Sequence, residues 1–224
     1  GFVLRRRTAS VYVFVNAATS ADGKLSDRTR SQVRLSSEED FERVDCLRAE
    51  SDAVMVGVGT VLADDPSLTV KDEGRRASNG NPTRVVADSR GRTPTDAEVL
   101  DDAAPTVVGV GKDAPSDRVE AMCEKADVVE TDAERVDLRS LFDALEKRGI
   151  ERLMVEGGGE VIFSLLREGL VDEVSVYVAP LFVGGRDAPT LVDGDGFVGE
   201  YAEATLEDVE RVGEGVVLRY VIGE

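Results

Sequence analysis

The sequence contains no histidine and no tryptophan among its 224 residues, and only two cysteines. Without histidine, the chain has no Ser-His-Asp or Cys-His catalytic centre and no histidine-ligated metal site. Cys46 and Cys123 lie far apart within two separate helical patterns, so we interpret them as buried or half-buried thiols. We therefore expect no metal site.

Long apolar runs are also missing. No stretch of about 18 apolar residues occurs, so no membrane-spanning helix is predicted. The basic start at residues 1–7 is not followed by an apolar signal core, and residues 11–15 are better explained as a strand. We expect a cytoplasmic protein that does not bind a membrane. A hydrophobic content of 42% and the absence of a Pro- or Ser-rich linker favour one domain over residues 1–224.

Positive charge is scarce, with 27 Lys and Arg against 45 Asp and Glu and a net charge of −18. An acidic tail would explain this imbalance, as would a surface that mimics or repels nucleic acid. The acids are spread along the whole chain, however, and only five residues are lysine. Adaptation to a salt-rich cytosol fits best, because salt screens the repulsion between acidic groups. Nucleic-acid binding is disfavoured, since phosphates would be repelled.

Apolar runs and helical patterns alternate along most of the chain. Strands are predicted at 11–15, 53–58, 84–88, 106–110, 128–130, 152–156 and 173–179, and a closing hairpin at 203–212 and 215–222. Helices are predicted at 37–50, 115–125, 138–148 and from the glycines at 157–159 to about 167. This alternation predicts an α/β fold with one mixed, mostly parallel sheet that is covered by helices on both faces.

The second predicted strand opens into glycines. Gly57 and Gly59 are followed by Thr60 and the turn Asp64-Asp65-Pro66, so a ligand could approach the backbone at this strand end. The Gly57-x-Gly59 pattern begins like a dinucleotide fingerprint, but Leu62 stands where a third glycine would be, which makes the match weak by itself. A plain turn is the alternative.

A second glycine tract follows the strand at 152–156. Glu156 precedes glycines 157–159 and then a helix, whose free N–H groups would suit a pyrophosphate. Because phosphate would repel Glu156, its side chain should point elsewhere, toward a reacting centre. The alternative is a flexible joint between strand and helix.

Two further strand ends carry polar side chains. The first leads from Asn16 to Asp22-Gly23-Lys24, which is otherwise a polar turn. The second is Asp88-Ser89, followed by Arg90 and Arg92, which could contact a ribose and a 2′-phosphate or form a solvated basic loop. Together, the four strand ends predict a ligand crevice.

Five motifs occur in a characteristic order: N-A-A-x-S-x-D-G-K at 16–24, L-R-A-E-x-D-A-V-M-V-G-V-G-T-V-L-A-D-D-P-x-L-T-V at 47–70, R-V-V-A-D-S at 84–89, E-G-G-G at 156–159, and G-L-V-D-E-V-S-V-Y-V-A-P at 169–180. In this order they resemble the riboflavin-biosynthesis reductases, the family of the reductase domain of bacterial RibD. The resemblance covers about residues 10–222. Each motif is weak alone, whereas the combination is specific.

The resemblance implies a dihydrofolate-reductase-like three-layer fold, a homodimer and NADPH as hydride donor. It also implies a phosphorylated pyrimidine substrate, whose ribosylamino side chain is reduced to ribitylamino by hydride addition at an imine of the sugar C1′. The residues expected at NADPH are Thr60, Asp64, Asp88, Ser89, Gly157, Gly158 and Gly159. Those expected at the substrate are Asn16, Asp22, Lys24, Arg34 and Asp65, with catalytic roles for Lys24, Glu156 and Asp22.

Three other functions remain open at this point. One is a pterin or folate reductase of the same fold, although the tryptophan-bearing strand typical of folate reductases is absent. Another is a non-catalytic nucleotide-binding module, which would need the glycines but not Asp22, Lys24 and Glu156 together. The third is a dimeric structural protein without a ligand, which would leave the glycine-ended strands unexplained.

Overall fold

A computed structural model describes residues 11–31, 33–78 and 80–223. The basic start at residues 1–7 lies outside these ranges. Nine strands and five α-helices follow one another along the described chain: β1 (Tyr12–Ser20), α1 (Glu38–Ala49), β2 (Ala53–Gly57), α2 (Val58–Asp64), β3 (Thr83–Ala87), β4 (Thr106–Gly111), α3 (Ser116–Cys123), β5 (Asp127–Thr131), α4 (Leu138–Glu146), β6 (Arg152–Gly157), α5 (Gly159–Arg167), β7 (Glu173–Ala179), β8 (Ala204–Val212) and β9 (Gly215–Ile222).

These strands form one sheet in the order β5-β4-β3-β2-β6-β1-β7-β9-β8. Every neighbouring pair from β5 to β7 is parallel, whereas β9 is antiparallel to both β7 and β8. The predicted mixed, mostly parallel sheet with a C-terminal antiparallel hairpin is therefore confirmed.

Two apolar layers cover the faces of the sheet, because successive strand residues point in opposite directions. On β1, Val13 and Val15 join a core that α4 and α5 cover with Leu141 and Ile162. Phe14 points the other way and joins a second core with Val61 of α2 and residues of α1 and α3. The result is the three-layer arrangement expected for this fold class.

Several element boundaries differ from the predictions, and two of the differences bear on the crevice. The first strand does not end at Asn16 but continues to Ser20, because β7 pairs with it from Phe14 to Ser20. The second strand ends at Gly57, and Val58 is the first residue of α2 rather than the last residue of a strand. Ser37 caps the start of α1, because its hydroxyl accepts a hydrogen bond from the Asp40 amide at 3.3 Å.

The insertion of β6 between β1 and β2 determines where a ligand crevice lies. The chain leaves this part of the sheet after β2, builds β3, β4 and β5 on one side, and returns through β6. In open α/β sheets, ligands bind beyond the carboxyl ends of strands at such a reversal. None of the helices in the described ranges is both long and apolar enough to cross a membrane.

Candidate active site

A cleft of about 470 Å³ opens at the carboxyl ends of β1, β2 and β6. Its walls combine small strand-end residues, apolar side chains from the segment before α1 and a few polar groups. They are Ala17, Ala18, Leu25, Val33, Arg34, Leu35, Ser36, Phe41, Thr60, Asp64, Glu156, Gly157 and Gly158. Six of the predicted site residues therefore meet here: Arg34, Thr60, Asp64, Glu156, Gly157 and Gly158.

A row of polar residues crosses the sheet beneath α1. Val15 of β1 is in register with Val155 of β6, so the next residues along these strands, Asn16 and Glu156, are neighbours on the same face. Asn16 is in turn in register with Ser175 of β7. We call Glu156, Asn16 and Ser175 the polar row.

Glu156 is held by an arginine of α1. Its two carboxylate oxygens accept hydrogen bonds from Nε and Nη2 of Arg48 at 2.5 and 2.7 Å. Both side chains are mostly buried, and Arg48 also donates to the Thr69 carbonyl at 3.0 Å. Burial opposes the charge on Arg48, but the neighbouring Glu156 carboxylate outweighs it and raises the pKa of the guanidinium. The geometry is a bidentate ion pair.

The strand pairing changes at the same residue. Met55 of β2 pairs with Val155, but Val56 pairs with Gly157, so Glu156 is an extra residue on β6 relative to β2. Such a register shift, as at a β-bulge, redirects side chains and is frequent beside functional sites. It explains why Glu156 and Gly157, which would otherwise alternate between faces, both line the cleft.

Asn16 is held by a second arginine of α1. Its amide oxygen accepts a hydrogen bond from Nη2 of Arg43 at 2.8 Å, and Arg43 also donates to the Ser175 hydroxyl at 3.2 Å. Asp40, which is fully buried, accepts from Nε of Arg43 at 2.9 Å. Asn16 is 4% exposed and is not among the residues that line the cleft, so it lies beneath the cleft floor, next to the lining residue Ala17.

The glycine tract provides a close approach to the backbone at the start of α5. Gly158 has a φ of +91°, and a Cβ there would lie 3.4 Å from the Gly57 nitrogen. Within the described chain, no side chain caps this helix start. Unpaired N–H groups at an α-helix start, together with the helix dipole, favour an anion. The tract therefore fits the pyrophosphate of a dinucleotide.

Thr60 and Asp64 extend the cleft wall along α2. A Cβ on Gly157 would lie 3.4 Å from the Thr60 hydroxyl, so this hydroxyl stands beside the glycine tract. Desolvation raises the pKa of the Asp64 carboxyl above its ordinary value. A hydroxyl and a partly desolvated carboxyl can both form hydrogen bonds to ligand hydroxyl groups.

Asp22 and Lys24 contact the long segment at 180–203, which in the described chain links β7 to β8 without a helix or strand. Asp22 accepts hydrogen bonds from the Val183 and Gly184 amides at 3.0 and 2.7 Å. Together with the Ser20 hydroxyl, these donors lower the pKa of Asp22 to about 2, the Ser20 hydrogen bond having the largest effect. Nζ of Lys24 donates to the Ala188 carbonyl at 3.2 Å.

Seven of the predicted site residues are not among those that line the cleft: Asn16, Asp22, Lys24, Asp65, Asp88, Ser89 and Gly159. Three of these seven side chains form hydrogen bonds away from the cleft. Asp88 is fully buried and accepts from the amide and hydroxyl of Thr93 at 2.6 and 2.8 Å. The Ser89 hydroxyl accepts from the Val136 amide at 3.0 Å, and an Asp65 carboxylate oxygen accepts from the Glu98 amide at 2.9 Å. Their predicted ligand contacts stay predictions.

Arg43 and Arg48 were missed as site residues. Both lie in α1, whose sequence pattern predicts a helix but not the residues that its arginines contact. A basic residue such as Arg48 in the last turn is also explained by the helix dipole alone. The signal available for Arg48 was its place in the L-R-A-E motif at 47–50. Among the described residues, no cluster of acids and cysteines could hold a metal ion.

The family model for the RibD C-terminal domain matches residues 11–218. The chain belongs to the RibD C-terminal domain family. It is 51% identical over 210 residues to the 2,5-diamino-6-ribosylamino-4(3H)-pyrimidinone 5′-phosphate reductase of Archaeoglobus fulgidus, covering 91% of this chain and 94% of that relative. It is 50% identical to the reductase of the same name from Methanothermobacter thermautotrophicus, covering 94% and 98% of the two chains.

A solved structure of RibD from Acinetobacter baumannii has the same fold, with a TM-score of 0.79 and 27% identity. The match covers 96% of this chain but 58% of that one, so the chain spans little more than half of this longer relative. The predicted dihydrofolate-reductase-like fold and the resemblance to this family are confirmed. Members named as riboflavin-pathway reductases are oxidoreductases, and such a reductase implies a nicotinamide cofactor.

Proposed function

We propose that this chain reduces the ribosylamino side chain of 2,5-diamino-6-ribosylamino-4(3H)-pyrimidinone 5′-phosphate to ribitylamino in riboflavin biosynthesis, with NADPH as hydride donor. The observation that supports this most strongly is the direct succession of Glu156 and the glycine tract along one cleft. The acid belongs to the substrate half and the glycines to the cofactor half. A reductase needs both halves side by side, because donor and acceptor atoms must be in close contact.

The chemistry assigns different tasks to the two halves. Opening of the ribosyl ring breaks the C1′–O4′ bond and leaves an imine at C1′ and a hydroxyl at C4′. A hydride and a proton then convert the CH=N group into CH2–NH. Bound NADPH supplies the hydride. An iminium accepts hydride better than a neutral imine, and a nearby carboxylate such as Glu156 stabilises the developing cation or orients the sugar hydroxyls.

Asp22 and Lys24 are proposed to act on the substrate side, as the motif at 16–24 predicts. Their contacts favour an indirect role, since both hold the segment at 180–203 beside the cleft. Arg34 is 67% exposed at the cleft rim, where its guanidinium lies 5.7 Å from the Phe41 ring centroid. Its guanidinium pairs with the exposed Glu38 one helical turn away, and we propose that the substrate phosphate replaces this partner.

A preference for NADPH over NADH is proposed from the end of β3. Arg90 and Arg92 are both exposed and follow Ser89 directly, at the same sheet edge as the glycine tract. Arginine recognises a phosphate through several parallel N–H donors, so these residues suit a 2′-phosphate. In a chain with a net charge of −18, such local cations offset the repulsion of two phosphorylated ligands.

The decisive experiment measures oxidation of NADPH by the purified protein with the ribosylamino-pyrimidinone phosphate, at salt concentrations from low to multimolar. We expect turnover, with ribitylamino product confirmed by mass spectrometry. Dihydrofolate serves as the control substrate, and NADH as the control cofactor. Absence of turnover at every salt concentration, with folded protein, would rule out the proposed function, and turnover of dihydrofolate instead would favour the folate alternative.

We also propose that the chain forms a homodimer through the edge of the sheet at β8. All but the last of the nine residues of this strand are exposed, including Leu206 at 50% and Val209 at 56%. A long, unpaired edge strand with exposed apolar side chains readily pairs with a second chain. Light scattering should report twice the chain mass, and Val209→Lys should shift it toward the monomer. Leu62→Lys is the control, because Leu62 is 50% exposed on α2, and it should leave the mass unchanged. A monomeric parent protein would contradict the proposal.

A further inference from the structure

The two arginines of α1 hold two neighbours of the polar row, in each case through side-chain oxygen atoms. Arg43 donates to the amide oxygen of Asn16 at 2.8 Å, and Arg48 donates to both carboxylate oxygens of Glu156 at 2.5 and 2.7 Å. A guanidinium has only donors. Each arginine therefore dictates which hydrogen-bonding group of its partner remains for a ligand.

Asn16 is left with its donor. Because its oxygen faces a guanidinium, its NH₂ group is the part that is turned away from Arg43. Among the described residues, nothing accepts a hydrogen bond from this nitrogen, although Asn16 is only 4% exposed. This nitrogen is not among the fully buried side-chain atoms that lack a partner in the described chain, so it keeps some exposure through which a ligand or water can satisfy it.

Glu156 is left with acceptors. Each carboxylate oxygen has two lone-pair directions, and Arg48 uses one on each. The remaining directions belong to a side chain that lines the cleft. Since both oxygens already accept from Arg48, Glu156 presents hydrogen-bond acceptors to the cleft.

The arginines are themselves fixed. Arg43 is tied to the fully buried Asp40 and to Ser175, and Arg48 to the Thr69 carbonyl. Neither guanidinium can rotate to reverse the arrangement without breaking these contacts. The donor at Asn16 and the acceptor at Glu156 are therefore already oriented before a ligand binds.

We propose that Arg43 and Arg48 are positioning residues that make the cleft floor specific for one hydroxyl group of a polyol chain. Neighbouring strands lie about 4.8 Å apart, so one oxygen atom can accept from Asn16 and donate to Glu156. A carbonyl cannot donate and an ammonium cannot accept, whereas a hydroxyl does both. The inference rests on the proposed function, because it assigns a hydroxyl of the opened ribosyl chain to this position.

The test pairs Glu156→Gln with substrate analogues that lack one hydroxyl. Calorimetry, without cofactor, measures binding of the parent substrate and of its 2′-deoxy and 3′-deoxy analogues. We expect Glu156→Gln to weaken binding of the parent about tenfold or more, since a hydrogen bond to a charged group is lost. For one of the two analogues, the same substitution should change Kd by less than about twofold. An undiminished effect on both analogues would overturn the inference.

A second measurement isolates the arginines. Arg48→Lys keeps the charge but not the bidentate geometry, so kcat/KM should fall about tenfold to a hundredfold from misplacement of the carboxylate. In a Glu156→Gln background, the same change should cost less than about twofold. Arg75→Lys is the matched control, because Arg75 is a partly buried arginine that pairs with Asp45 and Asp72. Equal losses in both backgrounds would assign Arg48 a merely structural role.

The two claims can fail separately. If the analogues bind as expected but NADPH is not oxidised, the proposed function is overturned, whereas the assignment of a donor at Asn16 and an acceptor at Glu156 stands. If the substrate is turned over but Glu156→Gln weakens the binding of both analogues as much as that of the parent, only the donor and acceptor assignment is overturned. Should an arginine variant fail to fold, the analogue series still decides, because Glu156→Gln is isosteric and leaves both arginines in place.

Discussion

Two carboxylates stand near the carboxyl ends of neighbouring strands, and their partners differ in kind. Glu156, on β6, accepts two hydrogen bonds from the side chain of Arg48, which belongs to α1 and is distant in sequence. Asp22, just after β1, is bound by its neighbour Ser20 and by the backbone amides of Val183 and Gly184. A side-chain partner aims the first group into the cleft, whereas backbone partners make the second an anchor for a loop.

The largest effect is expected at Glu156, the carboxylate that its arginine partner directs into the cleft. Glu156→Gln should lower kcat about a hundredfold or more, because the charge that stabilises the transition state is removed. NADPH affinity, measured by fluorescence titration, should stay within about twofold. Glu160→Gln is the control, since this exposed acid lies in the first turn of α5. Unchanged turnover in Glu156→Gln would remove this residue from the mechanism and erase the contrast with Asp22.

A backbone substitution separates the cofactor half from the carboxylate. Gly158→Ala places a Cβ at a φ of +91°, which should destabilise the fold by about 1–2 kcal/mol and weaken NADPH binding about tenfold. Gly149→Ala has a similar φ of +80° at the end of α4, so it should lower only the melting temperature. If both variants bind NADPH equally well, the tract is not the cofactor site.

The anchoring carboxylate should give a smaller, indirect effect. Asp22→Ala removes the acceptor of two backbone amides, so the segment at 180–203 should be cleaved faster by protease. KM for the substrate should rise several-fold, with kcat changed less than in Glu156→Gln. Asp27→Ala, which removes acceptors of Thr29 and Ser31 only, is the control. A loss of kcat as large as that of Glu156→Gln would restore Asp22 to the chemistry.

The smallest effect is a titration. The Ser20 hydroxyl and the backbone amides that donate to Asp22 lower the pKa of its carboxyl from an ordinary 3.8 to about 2. Because the folded pKa is the lower one, the stability it contributes is present above pH 4 and is lost as the pH falls toward 2. Carbon-13 NMR of the Asp22 carboxyl, in high salt, should give a midpoint near 2. A midpoint near 4 would mean that the amide contacts do not form in solution.

The contrast also explains what the sequence could and could not predict. Helix α1 and strand β7 were located within one residue, because caps and apolar patterns are local signals. The extension of β1 to Ser20 depends on pairing with β7, more than 150 residues away, and no local pattern announces it. For the same reason, Glu156 was identified from its glycines, whereas Arg48, 108 positions away, was not.

The same limit applies to Asp22 and Lys24. Asp22-Gly23-Lys24 has the composition of a turn and of a catalytic motif alike, and only the contacts with residues 183–188 distinguish an anchor from a reagent. Asp88 likewise follows a strand end as predicted, yet its carboxylate turns inward to Thr93. Sequence locates the strand ends that surround a crevice, and tertiary packing decides which side chains enter it.

The register shift at Glu156 has a consequence for how this enzyme can vary. It joins the proposed substrate half of the cleft to the proposed cofactor half through one additional backbone residue, so the spacing of the two halves is set by chain length and not by any side chain. Point substitutions can retune either half, but none can move one half relative to the other. Deleting one residue at this position of β6 should misalign the two halves while leaving each of them intact. Relatives that bind both a substrate and a cofactor here should therefore tolerate amino-acid substitutions at this position far better than insertions or deletions.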